Sequence, residues 1–152
     1  MIRDAVAGRL AEILLVEDDP ADALLMRRAL TQSRLSLNLT WVEDGEEALD
    51  YLRDPGHNGA VRPDLILLDL NMPKKGGHVV LAEIREDPKL TDLPVVILTT
   101  SQAEEDVARS YALHANAYIA KPVGLPGFLK VVESIDGFWF SVVVLPETRK
   151  TR

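Results

Sequence analysis

The sequence predicts an α/β domain built on a doubly wound, five-stranded parallel sheet in the order 2-1-3-4-5, with five helices. Three observations predict it. Short apolar runs alternate with longer amphipathic ones along most of the chain, as they do where strands are joined by crossover helices. The runs Ile13-Leu14-Leu15-Val16, Leu65-Ile66-Leu67-Leu68 and Val95-Val96-Ile97-Leu98 are apolar throughout. Strands covered on both faces lose their polar alternation in this way. The connections are short, which favours neighbouring elements packing side by side.

Each element follows in order. After the first strand, Asp19 is placed to cap a helix whose first position is Pro20, where a missing N–H costs nothing. Leu24, Leu25, Arg28 and Leu30 carry the helical pattern. Leu37 to Val42 alternates apolar and polar residues as a weaker strand, followed by Asp44-Gly45 and a helix through Ala48, Leu49 and Leu52. Asp54-Pro55-Gly56-His57-Asn58-Gly59 is dense in turn formers. The third strand ends in Asp69, and a helix holding Val79, Val80, Ala82, Glu83 and Ile84 comes next. Pro94 opens the fourth strand, which ends in Thr99-Thr100; Ser101 and Glu104 have capping-box spacing for the helix beyond. Ala117-Tyr118-Ile119-Ala120 leads through Lys121-Pro122 into the last helix.

With 152 residues the chain suits one domain of ordinary size. Its net charge of −7 argues against a nucleic-acid partner, which wants a basic face. With no cysteine, disulfides and thiolate zinc sites are excluded, and a reducing compartment is compatible. Neither a signal peptide nor a run of transmembrane length is visible, so the expectation is a cytoplasmic protein with no membrane contact. His57, His78 and His114 lack metal-ligand spacing and are expected at the surface.

The chemistry gathers at the carboxyl ends of the strands, where open α/β sheets bind ligands. The first strand ends in Glu17-Asp18, the third in Asp69, the fourth in Thr99, and the fifth just before Lys121. In the order 2-1-3-4-5, strands 1 and 3 are neighbours, so Glu17, Asp18 and Asp69 share one pocket. Three carboxylates together repel, and a divalent cation relieves them. Oxygen-only ligands suit Mg²⁺ or Mn²⁺ better than zinc. An ammonium from Lys121 and a hydroxyl from Thr99 add partners for a tetrahedral dianion at Asp69.

The strings LLVEDDP, LLDLNMP followed by Gly76-Gly77, VVILTTS and AYIAKPV resemble the receiver domain of two-component response regulators, from about Ile13 to the last helix. That resemblance implies a flavodoxin-like receiver fold with Asp69 as phosphoacceptor. It implies metal binding by Asp18, by Glu17 directly or through water, and by the backbone carbonyl of Asn71. It also implies Thr99 as the switch hydroxyl, Tyr118 as a rotating aromatic, and Lys121 as the phosphate-pairing lysine before a cis peptide to Pro122. The strings SYALHANAYIAKPV and SIDGFWFSVVVLP resemble the single-domain subgroup paired with bacterial phytochrome histidine kinases. The implied phosphodonor is then a phosphohistidine on a light-regulated sensor histidine kinase, a bacteriophytochrome. Such a protein is a signalling protein that catalyses only its own phosphorylation and dephosphorylation, not an enzyme acting on a separate substrate.

The carboxyl terminus carries more apolar residues than one sheet contact needs. Phe128, Val131, Val132, Ile135, Phe138, Trp139, Val142 and Val143 recur at helical spacing, with Gly137 interrupting. Phe138 to Leu145 therefore reads as a helix extension or as an extended arm. Burial against a second copy is expected, giving a homodimer through the fourth helix, fifth strand, fifth helix and this segment. The expected divisions are an extension over 1–11, a receiver domain over 12–145 and a tail over 146–152. After Leu145 too few residues remain for an output domain. The rival readings are a degenerate receiver serving as an interaction module, an aspartate-nucleophile phosphatase and a flavodoxin-type cofactor binder. The phosphatase class wants its nucleophile after the first strand, and the cofactor binder wants a phosphate loop there.

Overall fold

The computed structural model describes residues 10–33 and 37–136. The elements run β1 (Ala11–Val16), α1 (Pro20–Gln32), β2 (Leu37–Val42), α2 (Gly45–Arg53), β3 (Leu65–Leu68), α3 (Gly77–Glu86), β4 (Val95–Thr99), α4 (Glu104–Ala112), β5 (Ala117–Ala120) and α5 (Gly124–Ser134). A short 3-10 turn, His57–Gly59, lies in the turn-rich stretch after α2. The five strands form one parallel sheet in the order β2-β1-β3-β4-β5.

Successive side chains of a strand face opposite sides, and the core divides along that rule. Leu14, Val16, Ile66, Leu68, Val95 and Ile97 pack under α2 and α3 with Leu49, Val80, Leu81 and Ile84. Ile13, Leu15, Leu65, Leu67, Val96 and Leu98 pack on the other face with Met26, Ala29 and Leu30 of α1 and Phe128, Val131 and Val132 of α5. Both faces are covered, so the three central strands are almost wholly buried. The edge strands β2 and β5 are only half-buried. Phe128, Val131, Val132 and Ile135 are thus used within the domain. The expected segment from Phe138 to Leu145 lies outside the described residues.

Local chemistry sets the helix starts. Asp19 caps α1, accepting from the Ala21 N–H at 2.9 Å, with Pro20 in the first turn. Asp44 caps α2, accepting from the Glu47 N–H at 2.9 Å, while Glu47 reaches back to the Glu43 N–H at 2.6 Å. The capping box expected from Ser101 and Glu104 does not form: α4 begins at Glu104 itself, with Ala103 as its cap residue. The Ser101 hydroxyl donates to the Asp106 carboxylate, and its oxygen accepts from the Ala103 N–H at 3.4 Å, before the helix begins. No helix among the described residues is long and apolar enough to cross a membrane.

Candidate functional site

Strand register builds the site. Val16 of β1 lies opposite Leu68 of β3, so the residues that step off these strands, Glu17 and Asp69, leave side by side. The ladder runs one residue further: the Glu17 N–H donates to the Val42 carbonyl at 3.0 Å, and the Asp69 N–H to the Val16 carbonyl at 3.1 Å. Glu17, Asp18 and Asp69 bring carboxylate oxygens within 4.8 Å of one another. Glu17 and Asp69 are buried, and Asp18 is exposed. Among the described residues these acids form a group able to hold a metal ion.

Lys121 enters from the other side. Thr99 pairs with Ala120 across β4 and β5, and the Lys121 N–H donates to the Thr99 carbonyl at 2.7 Å. The Lys121 ammonium lies 2.8 Å from Glu17 Oε1, 2.9 Å from Asp22 Oδ2 and 3.4 Å from Asp69 Oδ2. Burial works against this ammonium, but the carboxylates of Glu17 and Asp22 and the charge of Asp69 outweigh it and raise its pKa. Burial pushes the Glu17 carboxyl up to about 7; the Lys121 hydrogen bond opposes the rise and the Asp69 charge adds to it. A carboxyl pushed up beside another carboxylate is one that a cation would stabilise in its charged form. The donor set is all oxygen, with one exposed member leaving room for water, and it fits a hard divalent cation.

The remaining expected residues occupy distinct places. Thr99 is buried, its hydroxyl oxygen accepting from the Ser101 N–H at 3.4 Å. Tyr118 is half-buried against the α2/α3 face of the core, and its hydroxyl donates to the Ser101 carbonyl at 2.7 Å. Burial raises its phenol pKa. Thr99 and Tyr118 therefore meet at Ser101, at the start of the loop into α4. Asn71 is exposed, two residues past Asp69 in the loop before α3. The Lys121–Pro122 peptide is trans, not cis as the resemblance implies. The isomers differ by only about 0.5–1 kcal/mol at proline, so local packing decides between them. His57 and His114 are exposed as expected, but His78 is half-buried, 2.9 Å from the Ser110 hydroxyl.

Three contributors escaped the sequence reading of the site. Asp22 is the third residue of α1, and no spacing in the sequence ties it to Lys121. Trp41 of β2 donates its indole N–H to the Glu17 carbonyl at 2.7 Å, holding the acidic turn from below; no pattern in the sequence announces this. Gly77 starts α3 against the backbone of Asp69. A Cβ there would come 2.3 Å from the Asp69 carbonyl oxygen, so only glycine fits without displacement.

Comparison with known proteins agrees with this geometry. The family model for the response regulator receiver domain matches residues 13–133. Response regulator Rcp1 of Synechocystis sp. is 47% identical over 135 residues, covering 88% of this chain and 92% of Rcp1. The crystal structure of a phosphorylated cyanobacterial phytochrome response regulator, RcpA, superposes with a TM-score of 0.84 at 47% identity, over 91% of this chain and 99% of that one. The Mn²⁺-bound form of Rcp1 superposes with a TM-score of 0.81 at 45% identity, over 90% and 99%. With its sheet order, its acidic strand ends and these relatives in agreement, the chain belongs to the response regulator receiver-domain family.

Proposed function

We propose that this receiver is a phosphorylation switch in which Asp69 accepts a phosphoryl group from a phosphohistidine on a sensor histidine kinase. The observation that carries the reading is the meeting of Glu17, Asp18 and Asp69 with the Lys121 ammonium at one sheet edge. A carboxylate nucleophile needs no general base. A carboxylate oxygen of Asp69 forms the O–P bond as the P–N bond of phosphohistidine breaks, and the electron pair leaves with the imidazole. The product is an acyl phosphate, which water returns to the free carboxylate.

Glu17, Asp18, Asp69 and the Asn71 carbonyl would hold Mg²⁺ or Mn²⁺. When bound, such a cation neutralises charge on the transferring oxygens. Lys121 pairs with a phosphoryl oxygen, and the Thr99 hydroxyl offers a further donor. The added charge, about −1.5 to −2, acts on Thr99 and Tyr118, whose shared partner Ser101 leads into α4. The signal then leaves through α4, β5 and α5 as a changed protein contact or by onward relay of the phosphoryl group. The chain turns over no separate substrate.

Similarity to the phytochrome response regulators supports a bacteriophytochrome-type kinase as donor. We place the protein in the cytoplasm, with a receiver unit over residues 12–145, and as a homodimer through α4, β5, α5 and the apolar carboxyl-terminal segment. Incubation with a phosphorylated histidine kinase is expected to move label to the receiver with Mg²⁺ present, and to move none after EDTA treatment. Transfer unaffected by EDTA would contradict the metal assignment.

A further inference from the structure

We infer that Asp22 is a positioning residue for phosphoryl transfer, anchoring the Lys121 ammonium throughout the reaction. The inference rests on the reading of Asp69 as phosphoacceptor. The ammonium has three N–H donors and meets three carboxylates, at 2.8 Å (Glu17), 2.9 Å (Asp22) and 3.4 Å (Asp69). Its side chain is only 5% exposed, so solvent does not readily replace a lost partner.

The three partners differ in what the reaction does to them. Glu17 and Asp69 belong to the trio of acids whose oxygens lie within 4.8 Å. A cation among that trio would compete with the ammonium for both, and phosphorylation turns the Asp69 carboxylate into an acyl phosphate, a mixed anhydride. Of the partners, Asp22 alone neither belongs to the trio nor is modified by the reaction.

Its mounting suits that task. Asp22 is the third residue of α1, just after Pro20, on a first turn fastened by the Asp19 cap. A carboxylate is favoured at a helix amino end, and the bond to Lys121 spans 99 residues of sequence. Asp22 thereby ties α1 to the loop between β5 and α5 and gives the ammonium one fixed point. From that point it can exchange Asp69 for a phosphoryl oxygen without losing its position. Asp22 lies outside the acidic trio and pairs with the ammonium, so its effect on the transfer passes through Lys121.

The test is a time course of Asp69 phosphorylation by acetyl phosphate with Mg²⁺, read by intact mass spectrometry. Asp22→Asn and Asp22→Ala are each made in the wild type and in Lys121→Met, with melting curves to identify any variant that fails to fold. Each is expected to slow phosphorylation of the wild type by about tenfold, the scale of a misplaced charged group. Asp22→Glu is expected to recover part of the loss. In the Lys121→Met background the same substitutions are expected to change the rate by less than about twofold, because coupled residues are not additive. A folded Asp22 variant that reacts at the wild-type rate overturns the inference, as does an equal slowing in both backgrounds. A wild type with no adduct overturns the phosphoacceptor reading and the inference with it. A wild-type adduct beside an unaffected Asp22→Asn overturns only the role of Asp22.

Discussion

Glu17 illustrates how much of the site depends on groups other than its carboxylates. Its side chain faces Asp69 and Lys121, and its backbone carbonyl takes the Trp41 indole N–H. Trp41→Phe keeps an aromatic ring on β2 and removes that donor. A single hydrogen bond is worth about 1 kcal/mol, so Mg²⁺ affinity should fall about fivefold by calorimetric titration, with the fold retained. Unchanged affinity would mean that the acidic turn holds itself in place. His78 offers a second residue-scale test, away from the acids. The Ser110 hydroxyl donates to the Asp106 carbonyl at 2.8 Å, so His78 Nε2 must carry the proton in its bond to Ser110. Burial, and then the Arg109 charge, lower the imidazole pKa from its ordinary 6.5. Below that value the unfolded chain binds more protons than the folded one. The stability contributed by neutral His78 is therefore complete above about pH 6.5 and is lost as pH falls through the lowered pKa. Melting temperatures at about pH 7.5 and about pH 5.5 should fall further for the wild type than for His78→Gln; equal falls would refute the assignment.

The elements are held by contacts that range from obvious to invisible in the sequence. The Asp19 and Asp44 caps are both local, set by two or three neighbouring residues, and the sequence reading picked out the first of them. The Ser101 cap fails because α4 begins only at Glu104, leaving Ser101 two residues before the cap position, an offset that spacing alone does not resolve. His78 resembles a surface residue until α3 and α4 are placed together and Ser110 is found opposite it. The Asp22–Lys121 pair needs the final arrangement of α1 and β5, and no local pattern specifies it. Gly77 lies between these extremes: the Gly76-Gly77 pair is visible, but the contact with Asp69 that requires glycine is not. With Gly77→Ala, the new Cβ meets the Asp69 carbonyl oxygen and the Leu70 Cα at 2.3 and 2.7 Å. Moving α3 away should cost about 1–3 kcal/mol in urea unfolding, as overpacking does, and should slow phosphorylation as well. An unchanged midpoint would show that α3 yields without cost.

For the whole molecule, the uniform apolar strands were the most legible feature, because two covered faces leave no polar position to interrupt them. The apolar runs do not set their order; 2-1-3-4-5 is the supposition under which Glu17, Asp18 and Asp69 meet, and the sheet has that order. The edge strands are half exposed and less uniformly apolar, yet both fall on the expected residues. Past Asp136 the apolar segment expected to join two copies lies outside the described residues. The family match over residues 13–133 covers the sheet and the site together, so the central claim concerns the chemistry at Asp69. Intact mass spectrometry after incubation with acetyl phosphate and Mg²⁺, beside Asp69→Asn, tests it most directly. One phosphoryl adduct on the wild type and none on Asp69→Asn is the predicted result. No adduct on the wild type, or an adduct that persists in Asp69→Asn, would contradict it.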